Sequence, residues 1–203
     1  MDENECIVEM NREAILQNDK ELLDFYSKFK KLYNIFGDAF LKDFNRLTSS
    51  NDLFFDRWEK AKKLNFGENT NIYDNSLVIG NVRVGKECWI GPNTILDGSG
   101  NLSIGDFCTI SAGVQIYTHD NVKQTLSSKQ LSIEHNSVNI GNNVYIAPNA
   151  VITKGVSIGN NVVIGAFALV NKNIASNNIA VGQPAKVIGE VMYVENEIKY
   201  NYF

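Results

Sequence analysis

Both histidines of the chain, His119 and His135, lie in one polar stretch, residues 117–139. Histidine is the side chain best suited to moving protons at neutral pH, because its ordinary pKa lies near ~6.5. His119 stands at the start of this stretch, directly before Asp120. We therefore take His119 as the candidate general base, with Asp120 either orienting its ring or contacting a substrate. His135 is more typical of a solvated loop residue.

The stretch interrupts a period of six residues that runs from Phe66 to about Ala175. An aliphatic or aromatic residue opens each six, often followed by glycine, and a small or branched residue comes four places later. Such a period fits neither a long helix nor a long strand, and it indicates a parallel β-helix with triangular coils of about 18 residues. The openers are Phe66, Ile72, Val78, Val84, Ile90, Leu96, Ile104, Ile110, Ile116, Ile140, Ile146, Ile152, Ile158, Ile164 and Val170.

Details of the repeat predict its interior and its corners. The openers and the residues four places later are expected to point inward, which places Cys88 and Cys108 in the core as inert thiols. Glycine after the opener, and pairs such as Asn142-Asn143 and Asn160-Asn161, suit corners with unusual backbone angles. A slip of two residues interrupts the period within residues 97–101. A long loop that leaves a rigid scaffold more often carries function than not, which favours the loop 117–139 as the site.

The flanking segments follow other patterns. Residues 1–63 read as a helical segment in which Gly37 ends one helix and a short last helix carries Phe54, Trp58 and Ala61. We expect these helices to pack together and cover the open end of the β-helix domain, residues 64–190. The tail, residues 191–203, is compatible with a strand or a short helix.

Composition excludes several classes of partner. The formal net charge is -4 and no Lys/Arg-rich run occurs, which argues against nucleic acid. No window holds about twenty apolar residues, so no membrane span is expected. The three cysteines form no CxxC pair, which argues against a metal cluster or a disulfide framework and suits a cytoplasmic setting.

The six-residue repeats, the loop with His119 and the closing Gly182-Gln183-Pro184-Ala185-Lys186 resemble the hexapeptide-repeat acyltransferases with a left-handed β-helix. Within that family the chain is similar to the sugar O-acetyltransferase branch, which includes the maltose and galactoside acetyltransferases. The resemblance covers about residues 64–190. It implies acetyl-CoA as co-substrate, no metal, and a homotrimer with an active site in each groove between neighbouring subunits.

The resemblance also implies roles for individual residues. His119 matches the family's general base, at the start of the protruding loop. Two small residues match positions along the pantetheine arm, an Asn-Lys pair matches a Thr-Lys pair near the coenzyme phosphates, and one lysine matches a basic residue of the closing motif. Gly189 stands where an arginine is often found. The expected coenzyme-binding residues are Ala147, Ala166, Asn171, Lys172 and Lys186.

Acetyl transfer to a sugar hydroxyl needs a base, a donor to the tetrahedral oxyanion and a hold on the coenzyme. Backbone N–H groups near Ala147 are candidate oxyanion donors, and direct attack needs no nucleophilic Ser or Cys. An acceptor sugar requires polar contacts, for which Asn93, Asp97 and Asp120 are the candidates. Corners of a β-helix are also rich in Asn and Asp, and Lys172 and Lys186 also fit a reading as ordinary surface lysines.

The leading hypothesis is therefore an acetyl-CoA-dependent O-acetyltransferase acting on a sugar in surface polysaccharide biosynthesis. The alternative is an N-acetyltransferase for a nucleotide-linked amino sugar, with Trp89 or Tyr117 stacking on the base. The loop carries little basic charge beyond Lys123 and Lys129, which favours the first. A non-catalytic scaffold has no need of His119, and a γ-class carbonic anhydrase requires three zinc-binding histidines where the chain has 2.

Overall fold

The computed structural model describes residues 12–195 and 197–203, so Cys6 lies outside the described residues. The chain divides into two compact units, Met1–Phe54 and Phe55–Phe203. The first unit is helical. The Phe29 and Phe54 rings, whose centroids lie 5.2 Å apart, join its second helix to its third. Its helices are α1 (Arg12–Leu16), α2 (Lys20–Phe44) and α3 (Ser50–Phe54).

Helix α2 runs through Gly37, so the prediction that a helix ends there is wrong. Gly37 is buried, and a Cβ atom at this position would lie only 3.3 Å from Cδ1 of Leu47. Glycine here permits close packing inside a continuous helix. The helix ends at Asn45, which has φ 49° and donates its N–H to Leu41 O.

The second unit begins with α4 (Arg57–Lys63), so the expected last helix with Phe54, Trp58 and Ala61 is two helices in different units. Asp56 caps α4 by accepting the N–H of Trp58 at 2.7 Å. Helix α4 packs on the first coil, where Lys60 Nζ donates to Tyr73 O, Asp74 O and Ser76 O at 3.1, 2.5 and 3.0 Å. This helix covers the end of the coil stack.

The stack has three faces of parallel strands. Face 1 consists of β1 (Asn71–Ile72), β3 (Trp89–Ile90), β5 (Thr109–Ile110), β10 (Tyr145–Ile146), β13 (Val163–Ile164) and β15 (Asn178–Val181). Strands β2 (Leu77–Val84) and β4 (Ile95–Ile104) bend across a corner, so each contributes its first half to face 2 and its second half to face 3.

The rest of face 2 is β6 (Gln115–Ile116), β11 (Val151–Ile152) and β14 (Leu169–Val170). The rest of face 3 is β9 (Val138–Ile140), β12 (Ser157–Ile158) and the bridge from Ile158 to Ile174. Between β6 and β9 the loop holds β7 (His119–Asp120), α5 (Val122–Leu126) and β8 (Glu134–His135), with β7 and β8 forming a small antiparallel ribbon.

The coils stack in register, which confirms the predicted parallel β-helix. Opener pairs with opener from one coil to the next, as in Ile72 with Ile90 and Ile90 with Ile110. Face 1 alone stacks five isoleucines that are each 0% exposed: Ile72, Ile90, Ile110, Ile146 and Ile164. Cys88 and Cys108 are 1% exposed, so both lie inside as predicted. Burial of such a continuous aliphatic column is the main source of stability for a solenoid.

Glycine follows the opener because adjacent coils approach closely, and the explanation from backbone angles is wrong for this position. A Cβ atom on Gly105 would lie 2.3 Å from Asn142 Oδ1 and 2.7 Å from Gly141 O. The left-handed angles occur two residues later, as at Phe107, Asn143 and Asn161, where φ is 58°, 57° and 57°. The expectation that asparagine serves these corners is confirmed for Asn143 and Asn161.

Changes in coil length concentrate at one corner, between faces 2 and 3, which we call the variable corner. One residue separates the paired positions Gly80 and Val82 there, whereas three separate their partners Gly98 and Leu102. The next coil inserts the whole loop at this corner, between β6 and β9. In the described coils the other two corners keep the six-residue spacing from opener to opener.

After β15 the sheet of face 1 continues into an antiparallel pair, β16 (Lys186–Val194) and β17 (Glu197–Tyr202). The tail is therefore a strand, one of the two states that its sequence allowed. Within the described part of the chain, no helix has the length and apolar character needed to cross a bilayer.

Candidate functional site

The structural centre of the variable corner is the carboxylate of Asp97. It lies on β4 at the two-residue slip, and its side chain is 1% exposed. Oδ1 accepts hydrogen bonds from Ser99 N at 2.9 Å and Ser99 Oγ at 2.5 Å. Oδ2 accepts from Thr118 N at 2.8 Å and Thr118 Oγ1 at 3.2 Å. The Thr118 hydroxyl in turn accepts the N–H of Gly100 at 2.7 Å.

These contacts keep Asp97 ionised despite its burial. Burial by itself raises the pKa of a carboxyl group, but the hydrogen bonds from Ser99, from the Thr118 N–H and from His119 outweigh it. The net effect holds the pKa of Asp97 far below its ordinary value. The two extra residues of this coil supply the donors Ser99 and Gly100. The slip therefore builds a buried acceptor that is ionised at neutral pH beside the root of the loop.

His119 binds this acceptor. Its Nδ1 lies 2.7 Å from Asp97 Oδ2, and its side chain is 35% exposed. An ionised carboxylate only accepts hydrogen bonds, so Nδ1 carries a proton, and in the neutral ring Nε2 is the nitrogen with the lone pair. Nε2 makes no hydrogen bond within residues 12–195 and 197–203. The pair therefore presents a fixed, partly accessible imidazole whose free nitrogen can accept a proton.

The ribbon of β7 and β8 places the second histidine against the first. His119 pairs with His135 across the ribbon, and their ring centroids lie 5.8 Å apart at an interplanar angle of 27°. Asp120 pairs with Glu134 one position further, and Lys154 Nζ lies 2.9 Å from Asp120 Oδ2 and 2.6 Å from Glu134 Oε2. His135 is exposed, which is compatible with its interpretation as a solvated loop residue, and its ring lies beside that of the candidate base.

The three residues that were expected to contact an acceptor sugar are Asn93, Asp97 and Asp120, and the structure gives each of them hydrogen bonds or ion pairs with other protein groups. Asp97 is buried and fully engaged, so it supports His119 and offers no oxygen to an acceptor. Asp120, which was expected to orient the ring or to contact a substrate, binds Lys154 and the N–H of Val122. Asn93 lies at the corner between faces 1 and 2, with φ 58°, and accepts a hydrogen bond from Asn75 Nδ2 at 2.9 Å. Its exposed side chain is part of a corner stack away from His119.

The expected coenzyme-binding residues lie at more than one corner. Asn171 and Lys172 are exposed at the variable corner, in the coil that follows Lys154. Ala147, which is buried, and Ala166, which is exposed, lie at the corner between faces 1 and 2. Lys186 is exposed at the start of β16. The Ala147 N–H already donates to Ile164 O at 2.9 Å, so it is not free to serve as an oxyanion donor.

The side chains that sequence reasoning did not assign to the site are Ser99, Thr118 and Lys154. A usable signal existed for the first two. Leu96 and Ile116 are openers of consecutive coils, which puts Asp97 beside Tyr117 and close to Thr118 once the coils are stacked. For Lys154 the signal was its place two residues after Ile152, which stacks on Ile116.

Two family models match the chain. "Bacterial transferase hexapeptide (six repeats)" matches residues 137–172, and "Hexapeptide repeat of succinyl-transferase" matches residues 81–118. The two matches cover coils on both sides of the loop. A 74-residue stretch is also 38% identical to the bifunctional protein GlmU of Latilactobacillus sakei subsp. sakei (strain 23K), covering 35% of this chain. That stretch spans only 16% of the GlmU protein.

Solved structures share the fold over most of their length. A maltose O-acetyltransferase from Clostridium difficile 630 is 29% identical, with a TM-score of 0.52 over 85% of this chain and 89% of its own. A hexapeptide-repeat-containing acetyltransferase from Vibrio cholerae O1 biovar eltor, complexed with acetyl coenzyme A, is 22% identical, with a TM-score of 0.60 over 80% and 88%.

A third structure, the N-acyltransferase AntD from Bacillus cereus in complex with dTDP and 3-hydroxybutyryl-CoA, is 23% identical, with a TM-score of 0.55 over 67% and 89%. The chain thus carries the hexapeptide repeats of bacterial transferases on a left-handed parallel β-helix. The predicted resemblance to the hexapeptide-repeat acyltransferases, with the maltose acetyltransferase branch among them, is confirmed.

Proposed function

We propose that this protein is an acetyl-CoA-dependent O-acetyltransferase that moves an acetyl group onto a sugar hydroxyl, in the biosynthesis of a surface polysaccharide. The observation that carries the proposal is the hydrogen bond between Asp97 and His119 at the root of the loop. A histidine held by a buried carboxylate, with its other nitrogen free, is suited to take a proton from an attacking hydroxyl. The acetyltransferase structures of the same fold support the choice of reaction.

In the proposed reaction, Nε2 of His119 removes the proton of the acceptor hydroxyl as its oxygen attacks the carbonyl carbon of the thioester. Asp97 stays ionised and holds Nδ1–H throughout, so the imidazolium that forms lies against a fixed negative charge. When the tetrahedral intermediate collapses, the carbon–sulfur bond breaks and His119 returns the proton to the departing thiolate. The products are the acetyl ester and the free thiol of coenzyme A.

The proposal includes the homotrimer implied by the resemblance. His119 and Lys172 lie at the variable corner, whereas Ala147 and Ala166 lie at the corner between faces 1 and 2. A whole face of the prism separates these corners within one chain. A single coenzyme would contact both sets only in a groove between two chains, with one chain giving His119 and its neighbour giving the alanines. Size-exclusion chromatography with light scattering measures the molar mass of the protein in solution. A trimer is expected, and a monomer would contradict the proposal.

The test of the reaction is release of free thiol from acetyl-CoA in the presence of a panel of sugars, oligosaccharides and nucleotide-linked amino sugars. Turnover with a neutral sugar, giving a product that mild alkali cleaves, is the expected result. An alkali-resistant product on a nucleotide-linked amino sugar would instead establish the alternative N-acetyltransferase. Absence of turnover on every acceptor, together with absence of coenzyme A binding by calorimetry, would contradict the proposal.

The role of His119 is tested with His119→Gln, which we expect to lower kcat by ~10²–10⁴-fold because the proton acceptor is lost. The matched variant is His135→Gln, which makes the same change in the facing ring but leaves the bond to Asp97 in place. We expect its loss of kcat to be at least tenfold smaller, an order-of-magnitude figure consistent with loss of a neighbour instead of the base. Equal losses in the two variants would remove His119 as the sole base.

A further inference from the structure

Lys154, Asp120 and Glu134 form an ion-paired group under His119, which we call the clasp. Lys154 lies in the corner between β11 and β12, on the coil below the loop, and its side chain is only 18% exposed. Its ammonium contacts one carboxylate on each strand of the ribbon, Asp120 Oδ2 at 2.9 Å and Glu134 Oε2 at 2.6 Å. Lys123, from α5, pairs with the other oxygen of Glu134. One residue of the rigid coil thus ties together both strands that carry the histidines.

The ribbon needs such an attachment. It consists of only two residue pairs, His119 with His135 and Asp120 with Glu134. Ribbons of this size are not stable alone in water. The two carboxylates also stand directly opposite each other, where like charges repel and destabilise a strand pair. The ammonium of Lys154 between them turns this repulsion into attraction.

The three groups are all charged near neutral pH. Glu134 and Asp120 raise the pKa of the Lys154 ammonium above its ordinary value. The same lysine holds the pKa of the Asp120 carboxyl below its ordinary value, and Lys123 followed by Lys154 does so for Glu134. Isolated surface ion pairs contribute little to stability, but a mostly covered lysine that bridges two carboxylates is a network with a defined geometry.

We propose that Lys154 is a positioning residue for His119, which acts through Asp120 and Glu134 to hold the ribbon in the orientation where Nδ1 meets Asp97. Asp97 fixes the ring from the coil above, and the clasp fixes its backbone from the coil below. The kinetic consequence rests on the proposed acetyl transfer, because it assumes that His119 is the base. The structural consequence, an ordered ribbon, is independent of the reaction.

The kinetic test compares Lys154→Met with Lys129→Met, which changes an exposed lysine with positive φ in the loop 117–139. We expect Lys154→Met to lower kcat by about 10–100-fold, because a base displaced by about 1 Å loses that order of rate, with KM for acetyl-CoA changed less than about twofold. Lys129→Met is expected to match the parent protein. Lys154→Arg, which can still bridge two carboxylates, is expected to recover most of kcat.

A second variant separates positioning from direct contact with a substrate. In Lys154→Met/Glu134→Gln the cross-strand repulsion is gone, so kcat is expected to rise at least threefold above that of Lys154→Met, an order-of-magnitude figure for one relieved like-charge contact. A double variant as slow as Lys154→Met would mean that Lys154 contacts a substrate itself, and would overturn the proposal. Unchanged kcat in Lys154→Met would overturn it as well.

Hydrogen exchange gives the readout that does not depend on activity. We expect the backbone amides of residues 117–121 and 133–136 to exchange faster in Lys154→Met than in the parent, with the amides of β10 and β13 unchanged. Exchange that is unaltered in the ribbon would overturn the clasp even if the enzyme is active. If the parent protein shows no acetyl transfer, the proposed function fails while this measurement still decides the role of Lys154.

Discussion

The coils and the loop of this protein are held by different interactions. In the coils most strands are two residues long and pair with the same positions of the next turn, over a column of aliphatic side chains that is fully buried. In the loop α5 is mostly exposed and the ribbon is partly exposed, and Lys154 and Lys123 form ion pairs with the carboxylates of the ribbon. The candidate site combines the two, because Asp97 belongs to a coil and His119 to the loop.

This difference indicates which region of the molecule positions each group of the candidate site. The coils supply the buried carboxylate of Asp97, and the loop supplies His119, the candidate base. A base on a loop is exposed to substrate, but its geometry must be imposed from outside the loop. Contacts from the coil above and the coil below impose it here. Three substitutions test whether the division holds.

The largest expected effect is on the coils. Ile146→Ala removes a side chain that is 0% exposed in the middle of the face 1 column. We expect a loss of about 2–5 kcal/mol in the free energy of unfolding, since neighbouring coils cannot collapse into the cavity. Urea unfolding followed by circular dichroism measures it. A loss below about 1 kcal/mol would contradict the view that the column carries the stability of the coils.

The second-largest effect is expected at Asp97, where a coil contacts the loop. Asp97→Asn keeps the size of the side chain but places an amide N–H₂ against groups that themselves donate hydrogen bonds. The charge-assisted hydrogen bond to Nδ1 of His119 is therefore lost. We expect kcat to fall about 100-fold, the lower end of the range for a general base, because Nε2 remains in the ring. Asp106→Asn, the same change at another corner, is the control and is expected to have parental kcat. A small effect at Asp97 would mean that the ribbon alone orients His119.

The same variant has a pH signature. A carboxyl whose pKa is depressed on folding stabilises the folded state above its ordinary pKa, and that contribution is lost as pH falls towards the folded value. The difference in melting temperature between the parent and Asp97→Asn is therefore expected to stay constant from neutral pH to about pH 5 and to shrink below about pH 4. A difference that grows on acidification would contradict the depressed pKa.

The smallest effect is expected within the loop. Leu126 in α5 is 82% exposed, so Leu126→Ala removes little buried surface. We expect the free energy of unfolding to change by less than about 0.5 kcal/mol. A change as large as that of Ile146→Ala in the same unfolding measurement would show that the loop is packed against something that stabilises it, and the contrast between the regions would fail.

Much of the architecture could be predicted because a six-residue period determines both which side chains point inward and where the corners fall. The choice of His119 as candidate base followed from its position at the start of the long loop, and its role stays a prediction. The bond from Asp97 to His119 could not be predicted, because it joins residues 22 apart and depends on how two coils of unequal length stack. The roles of Gly37 and Gly105 could not be predicted either, for the same reason. Each glycine accommodates a neighbour that is distant in sequence, and a local pattern does not show that neighbour.

The variable corner also determines where this chain tolerates a change in length. The other two corners keep the six-residue spacing in the described coils, and a one-residue slip of the strand that follows such a corner would turn its inward side chains outward. At the variable corner, extra residues have already been absorbed as the slip before Leu102 and as the loop before Val138, with the strands on either side still in register. Insertions there alter the surroundings of His119 and leave the frame of the remaining coils intact.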